Sequence, residues 1–437
     1  MKISIFGLGY VGAVSAGCLA KNGNTVIGVD PSSSKVDLIN EGRTPIIEKD
    51  IDTIISNAVE AGKLSATQDP KEAIAKTDIS LICVGTPSMP NGSLNLSYVR
   101  NVCEEIGEAL KEKASFHVVV IRSTMLPGTM LNVVIPTIEK ASGMVAGEGF
   151  GICGNPEFLR ESTAVFDFYN PPKTVIGESD TKSGDILSEL YAGLDAPLIR
   201  TSIETAEMVK YTDNVWHALK VGFANEIGSI CKSVGIDSHE VMKIFFQDTK
   251  LNISPYYMKP GFAFGGSCLP KDLRALTYKA KSMDVNVPIL NSILPSNQIQ
   301  VDRGFQAITS KGKKKIGVLG FSFKSGTDDL RESPIVEVIE RLLGKGYDIK
   351  IFDNNVNIAK IVGANKDFIL NAIPHISNLM VNTPEEIIEH SEVVVIGNGA
   401  TEFKELIPKL SKEQTMIDLV RIVDEHPANT NYDGINW

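Results

Sequence analysis

Short, mostly apolar runs, each closed by a glycine or an acid, recur along the chain. They lie at residues 3–7, 25–30 and 79–85, and again at 315–320, 348–353 and 392–397. A strand covered on both faces reads as continuously hydrophobic rather than alternating, so the runs predict buried parallel strands. Stretches of helical composition separate them, and each set therefore reads as a doubly wound α/β unit. Between the sets, residues 204–234 keep helical composition without a proline, which predicts one long helix.

The first set carries a further pattern. Lys2-Ile-Ser-Ile-Phe-Gly7-Leu-Gly9-Tyr10-Val11-Gly12 leads through an amphipathic run to Thr25-Val-Ile-Gly-Val-Asp30. Strand, glycine turn, helix, second strand and terminal acid in register predict a dinucleotide site. Gly7 makes the tight turn, Gly9 lets the backbone of the Tyr10-Val11 turn meet the pyrophosphate, Gly12 permits close helix packing, and Asp30 binds ribose hydroxyls. A carboxylate there repels a 2′-phosphate and no arginine follows at once, so NAD is expected over NADP; Lys35 can approach the adenosine ribose. In the second set Gly320 is followed by Phe321-Ser-Phe-Lys324, without the glycine repeat, and no dinucleotide is expected there in the same way. The expected fold is α/β, two doubly wound Rossmann-like domains (1–202 and 302–437) joined by a long central helix within a helical middle part (203–301).

Composition narrows the class. The 437 residues are 43% hydrophobic and 22% charged with a net charge of −10, as for a soluble globular chain of several domains with no nucleic-acid partner. The basic cluster at 311–315 is short and reads as a solvated linker. No apolar run reaches the roughly 18 residues of a membrane span and no charged-then-apolar leader precedes the first strand, so a cytoplasmic protein is expected. Six cysteines (18, 83, 103, 153, 231 and 268) lack metal-ligand spacing, which argues against both zinc and disulfides.

One cysteine stands apart. Cys268 lies in Gly261-Phe-Ala-Phe-Gly265-Gly266-Ser-Cys268-Leu-Pro270-Lys271-Asp272. The two glycines allow close approach of backbone and substrate, and Pro270 suits the first turn of a helix over about 271–280 whose positive end faces the sulfur. That setting, with Lys271 beside it, favours the thiolate, which is the nucleophile in covalent catalysis. The alternative is a buried, inert cysteine. On the long helix, Lys210, Asn214, His217 and Asn225 fall within roughly 80° at 100° per residue, a stripe about 22 Å long. It suits a nucleotide-sugar, although a solvated face gives the same periodicity.

Further candidates close strands or follow them: Thr86, Ser123-Thr124, and Asn155-Pro-Glu157-Phe-Leu-Arg160-Glu161. The last places Glu157 and Glu161 on one expected helix face, where like charges raise one carboxyl toward a base working at neutral pH; an acidic helix start is the plain alternative. Lys324 and Arg331 flank a glycine-containing loop that suits either phosphate or ordinary surface charge.

With these residues placed, the chain resembles the nucleotide-sugar 6-dehydrogenases of the UDP-glucose/GDP-mannose dehydrogenase family over essentially its whole length. The matching motifs are Gly7-to-Gly12, Val84-Gly-Thr-Pro87, Arg122-Ser-Thr124, Asn155-to-Glu161, Lys210-to-Asn214, Gly265-to-Asp272 and Lys324-to-Arg331. Asn214-Val-Trp-His217 and the stretch from Tyr256 to Phe262 look most like the GDP-mannose branch. Lys259 departs from that branch, which has arginine there, and would meet a phosphate as a point charge rather than a bidentate fork.

The resemblance implies that Glu161, Lys210, Asn214, His217, Asn225, Tyr256, Tyr257, Lys259, Phe262, Gly265 and Lys324 touch the nucleotide-sugar. Thr86, Thr124, Lys271 and Arg331 would join the NAD site. It also implies a four-electron oxidation in which Cys268 holds the sugar as a thiohemiacetal and then a thioester. Lys210 and Asn214 would stabilise the oxyanion, Asp272, Thr124 and Glu157 would position or deprotonate water, and Glu161 would help hold the substrate. A homodimer or higher assembly built on the middle helices is implied, as is synthesis of a uronic-acid polysaccharide such as alginate. UDP-glucose or UDP-N-acetylmannosamine are the alternative substrates. A two-electron hydroxyacid dehydrogenase would need neither Cys268 nor the second α/β domain, and an NAD sensor would need only residues 7–30.

Overall fold

The computed structural model describes residues 1–437 except 92, 161, 255–256, 258–259, 267, 324, 326–329 and 357–372. The chain divides into two compact units, Met1–Ala218 and Leu219–Trp437. The expected long helix is present as Ile203–Ser233 and runs through the boundary between them.

Unit 1 is built on an eight-stranded sheet. Its strands are β1 (Lys2–Phe6), β2 (Thr25–Val29), β3 (Leu64–Thr67), β4 (Ile79–Ile82), β5 (Val118–Ile121), β6 (Gly151–Gly154), β7 (Thr174–Glu178) and β8 (Leu198–Thr201), in the order β3-β2-β1-β4-β5-β6-β7-β8. Only the β6–β7 pairing is antiparallel. Both faces are packed. Ile3, Ile5, Val118 and Val120 enter one core, while Phe6, Ile82, Val119 and Ile121 enter the other. This two-sided burial is why the strands read as continuous apolar runs. The chain leaves β1 toward β2 and β3 and then returns to its other side at β4, so a crevice forms beyond the carboxyl ends of β1 and β4, where open α/β sheets bind ligands.

Unit 2 repeats the plan with β9 (Lys315–Leu319), β10 (Asp348–Phe352), β11 (Val393–Ile396), β12 (Thr415–Asp418) and β13 (Asn431–Gly434), all parallel, in the order β10-β9-β11-β12-β13. Ile316, Val318, Val393 and Val395 fill one face, and Leu319, Val394 and Ile396 the other. Asp353 closes β10 as Asp30 closes β2, and it accepts from Phe321 N–H and Ser322 N–H at 3.1 and 3.2 Å. Ahead of this sheet come the helices Leu269–Ser282 and Pro288–Thr309, which carry the Cys268 loop and its support. Among the described residues no helix is long and apolar enough to cross a membrane.

Candidate functional site

In unit 1, the loop after β1 takes the shape its glycines allow. Gly7 has φ +94°, and a Cβ on Gly12 would sit 1.8 Å from Gly7 O, so the helix Tyr10–Lys21 can approach the strand only with glycine at 12. A Cβ on Gly9 would meet nothing within 4 Å. That open space beside the helix N-terminus fits a pyrophosphate. Asp30 is 5% exposed and accepts from Leu8 N–H at 2.8 Å and Ser32 N–H at 3.0 Å. Lys35 Nζ donates to the same carboxylate at 3.1 Å, which places Lys35 at the ribose end of the crevice. Thr86 Oγ1 donates to Thr124 O at 2.7 Å and so ties the ends of β4 and β5 together. The residues present therefore fit a dinucleotide.

The next layer lies along the strand ends toward β6. Residues 155–160 are not helical, contrary to the expectation of an acidic pair on one helix face. Asn155 is drawn into the core, where its Nδ2 donates to Val175 O at 2.8 Å, and Arg160 is held by Asp167 at 2.6 Å. Glu157 pairs instead with Lys210, whose Nζ lies 3.1 Å from Oε1, each side chain 11% exposed. The other carboxylate oxygen accepts from Leu159 N–H at 2.7 Å. Phe158 faces two ammonium groups, with Lys173 Nζ at 4.9 Å and Lys210 Nζ at 5.5 Å from its ring centre.

Beneath the segment, Arg122 donates to Asn155 Oδ1 at 2.5 Å and to the Tyr191 hydroxyl at 2.7 Å. A small cavity brings Thr124 together with Lys210, Pro156 and Glu207. Farther along the helix, Asn214, His217 and Asn225 are exposed. The polar stripe is thus buried at Lys210 and open at its other members.

In unit 2, Cys268 is exposed and caps the N-terminus of Leu269–Ser282, its carbonyl accepting from Asp272 N–H at 2.9 Å. Pro270 stands in the first turn as expected. Lys271 and Asp272 pair at 3.2 Å at the surface. The glycines before Cys268 serve packing. A Cβ on Gly265 would lie 2.2 Å from Glu332 O, and Gly266, at φ +87°, would bring its Cβ 2.9 Å from the Phe323 ring. Phe262 N–H donates to Leu419 O at 3.0 Å. Tyr257 is exposed at φ +64°, and Arg331 is half-buried. Glu161, Tyr256, Lys259 and Lys324 lie outside the described residues.

The remaining cysteines are poor nucleophiles. Burial pushes the thiols of Cys18, Cys83, Cys103 and Cys153 up to about 12, and Cys231 is buried. Among the described residues no group of three or more His, Cys, Asp or Glu could hold a metal ion.

Three supporting residues were not legible in advance. Glu207, one turn before Lys210, accepts from Gly128 N–H at 2.7 Å and Met130 N–H at 2.9 Å; burial raises its carboxyl above the usual range. Its spacing from Lys210 was the available signal. Asn297 accepts from Phe264 N–H at 2.9 Å and donates to Phe264 O at 2.8 Å, fixing the Cys268 loop from a distant helix. Glu48 takes the Tyr10 hydroxyl, and the apolar residues before it hide it in the sequence.

Comparisons with known proteins agree along the whole chain. Three family models match: the NAD binding domain of the UDP-glucose/GDP-mannose dehydrogenase family at residues 1–195, its central domain at 204–299 and its UDP binding domain at 317–425. The chain is 56% identical to the GDP-mannose 6-dehydrogenase of Pseudomonas aeruginosa over 437 residues, covering 100% of each. It is 36% identical to a UDP-glucose 6-dehydrogenase of Haloferax volcanii over 361 residues, 81% of this chain and 83% of the relative. The crystal structure of a ternary complex of GDP-mannose dehydrogenase from Pseudomonas aeruginosa superposes with a TM-score of 0.97 at 55% identity, covering 100% of both chains.

Proposed function

The chain belongs to the UDP-glucose/GDP-mannose dehydrogenase family, and from that premise we propose that it oxidises GDP-mannose at C6 to GDP-mannuronic acid. The observation that carries a four-electron reaction is Cys268, an exposed sulfur at a helix N-terminus in a chain whose other cysteines are buried or shielded. An oxidation that stopped at the aldehyde would leave such a residue without a task.

NAD, held at Gly7, Gly9, Tyr10, Val11, Gly12, Asp30 and Lys35, with Thr86, Thr124, Lys271 and Arg331, supplies the hydride acceptor for each of two oxidations. The chain's own residues do the rest. The Cys268 thiolate adds to the C6 aldehyde to give a thiohemiacetal; loss of hydride makes this a thioester, and water then cleaves the C–S bond, returning the thiolate and releasing the acid. Lys210 and Asn214 stabilise the oxyanion at C6. Thr124, Glu157 and Asp272 position water or take its proton, while Glu161 holds the sugar. His217, Asn225, Tyr256, Tyr257, Lys259, Phe262, Gly265 and Lys324 bind the nucleotide-sugar.

In this reading residues 1–202 bind NAD, 203–301 form the central part and 302–437 hold the nucleotide. A homodimer along the central helix is supported by Val215, Leu219 and Val221, which are 64%, 43% and 61% exposed on that helix. The enzyme works in the cytoplasm and its product feeds a uronic-acid polysaccharide. Turnover of a panel of GDP- and UDP-sugars, with NADH counted per sugar and the product identified by mass, tests the proposal. Two NADH and a uronic acid from GDP-mannose are expected; one NADH with an aldehyde product, or a UDP-sugar as the faster substrate, would overturn it.

A further inference from the structure

Tyr10 opens the helix whose N-terminus faces the cofactor crevice, so its main chain and its side chain serve different ends. The hydroxyl donates to Glu48 Oε2 and accepts from Ser162 N–H at 3.0 Å. Ser162 has φ +71°, a left-handed conformation that a serine keeps only where its surroundings enforce it. Such an outlier points to function when it borders a reactive segment. Ser162 closely follows Glu157, the partner of Lys210.

The segment is held from two sides. Asp167 accepts from the main-chain N–H and the guanidinium of Arg160 at 2.9, 3.1 and 2.6 Å, and from Thr163 Oγ1 at 3.0 Å. The Tyr10 hydroxyl holds it from the cofactor loop. Glu48 is 9% exposed and its Oε1 accepts no hydrogen bond among the described residues, so its carboxylate depends on the Tyr10 hydroxyl.

We propose that Tyr10 and Glu48 are positioning residues for the reaction: Glu48 orients the Tyr10 hydroxyl, and that hydroxyl, through Ser162 N–H, sets the position of Glu157 so that Glu157 and Lys210 are aligned by the same loop that receives the cofactor. The proposal rests on the reading that Glu157 and Lys210 serve the oxidation. What Tyr10 itself adds to cofactor affinity is its main-chain N–H at the helix start, which no side-chain change at Tyr10 removes.

Tyr10→Phe in the full chain deletes the hydroxyl alone and keeps the ring in the core. With the nucleotide-sugar that the wild type turns over fastest, kcat should fall by on the order of tenfold, the scale of one hydrogen bond involving a charged group. The NAD dissociation constant, measured by equilibrium binding, should stay within about twofold, because the phosphate contacts are main-chain. Glu48→Gln should lower kcat less, and Tyr10→Phe/Glu48→Gln should be no slower than Tyr10→Phe alone, since both changes act through one hydroxyl.

An unchanged kcat, a loss confined to NAD affinity, or additive effects in the double variant would each overturn the proposal. If Tyr10→Phe does not fold, Glu48→Gln decides: its kcat must fall while NAD binding holds. Failure of GDP-mannose as a substrate would remove the substrate assignment and leave this comparison in force with another sugar.

Discussion

Lys210 Nζ lies 3.1 Å from Glu157 Oε1, and the two side chains are equally withdrawn from water at 11% exposure each. The pair joins the central helix to the segment that leaves β6. Each charge offsets the desolvation of the other, so the site can keep an ammonium and a carboxylate side by side in a poorly hydrated place. In the proposed reaction this places both groups to act on an oxygen whose charge changes.

Lys210→Met should lower kcat on the order of 10² to 10³-fold, the scale of removing one oxyanion donor. It should also cost about 3 kcal/mol of stability, because Glu157 is left buried without its cation. Steady-state kinetics and thermal unfolding of the same preparation check both. Unaltered turnover would remove Lys210 from the chemistry even if the stability loss appeared.

Cys268→Ser should abolish steady-state formation of the uronic acid and leave NAD affinity largely intact. A serine hydroxyl remains protonated and traps the aldehyde poorly. Cys268 is an exposed residue at a helix start, so the variant should fold normally. Sustained turnover to acid at the wild-type rate would eliminate the covalent scheme.

Asp30→Ala should raise the KM for NAD and relax discrimination against NADP. The carboxylate sits at the end of β2, where it receives Leu8 N–H and pairs with Lys35. Removing it frees Lys35 to meet a 2′-phosphate. If the constants for NAD and NADP do not move, the crevice beyond β1 is not the cofactor site.

Much of this was readable from the residues because buried parallel strands advertise themselves. Ile3, Ile5 and Phe6 go to opposite faces of the first sheet, yet both faces are apolar, and the run and its terminal glycine survive as a pattern. Gly12 was readable for the same reason: its Cβ has nowhere to go. The segment at 155–160 misled because carboxylate spacing suggested a helix, while long-range bonds from Asn155 to Val175 and from Arg160 to Asp167 hold it irregular. Glycines 265 and 266 carry a packing demand the sequence does not show, since a Cβ on either would meet Glu332 O or the Phe323 ring. Partners this remote in sequence leave no periodic trace. Tyr10 and Glu48 illustrate the same limit, since a turn residue and a loop acid acquire their relation only in the folded unit.

His117 gives a pH signature of the first unit. It is buried with Ser4 and Ser80 at 0% exposure. Nδ1 faces Thr77 O at 3.2 Å and must donate, so Nε2 is left to accept from the Ser80 hydroxyl at 2.7 Å. Burial, assisted by Lys113, lowers its pKa to about 3. The unfolded chain binds the proton near 6.5 and the folded chain does not, so this contribution is complete above about 6.5 and is lost as pH falls toward 3. Between pH 6.5 and 5 it should remove about 1.4 kcal/mol per pH unit once the unfolded imidazole is protonated. Urea unfolding of wild type and His117→Asn should show a slope smaller by one proton in the variant; identical slopes would mean that His117 titrates normally.

The last expectation concerns the choice of sugar nucleotide. His217 and Asn225 are exposed on the central helix, and no core contact dictates polar residues there. A site built to hydrogen-bond particular groups rejects analogues that lack them, because its own polar atoms are then left unpaired. The kcat/KM for GDP-mannose should therefore exceed that for UDP-glucose by on the order of 10² or more. His217→Ala should narrow the gap mainly by weakening the GDP-sugar, with the NAD constants unchanged. A direct competition between GDP-mannose, UDP-glucose and UDP-N-acetylmannosamine decides the matter. Faster oxidation of either UDP-sugar would transfer the enzyme to another branch of the family, while the thioester route through Cys268 would stand or fall on its own variant.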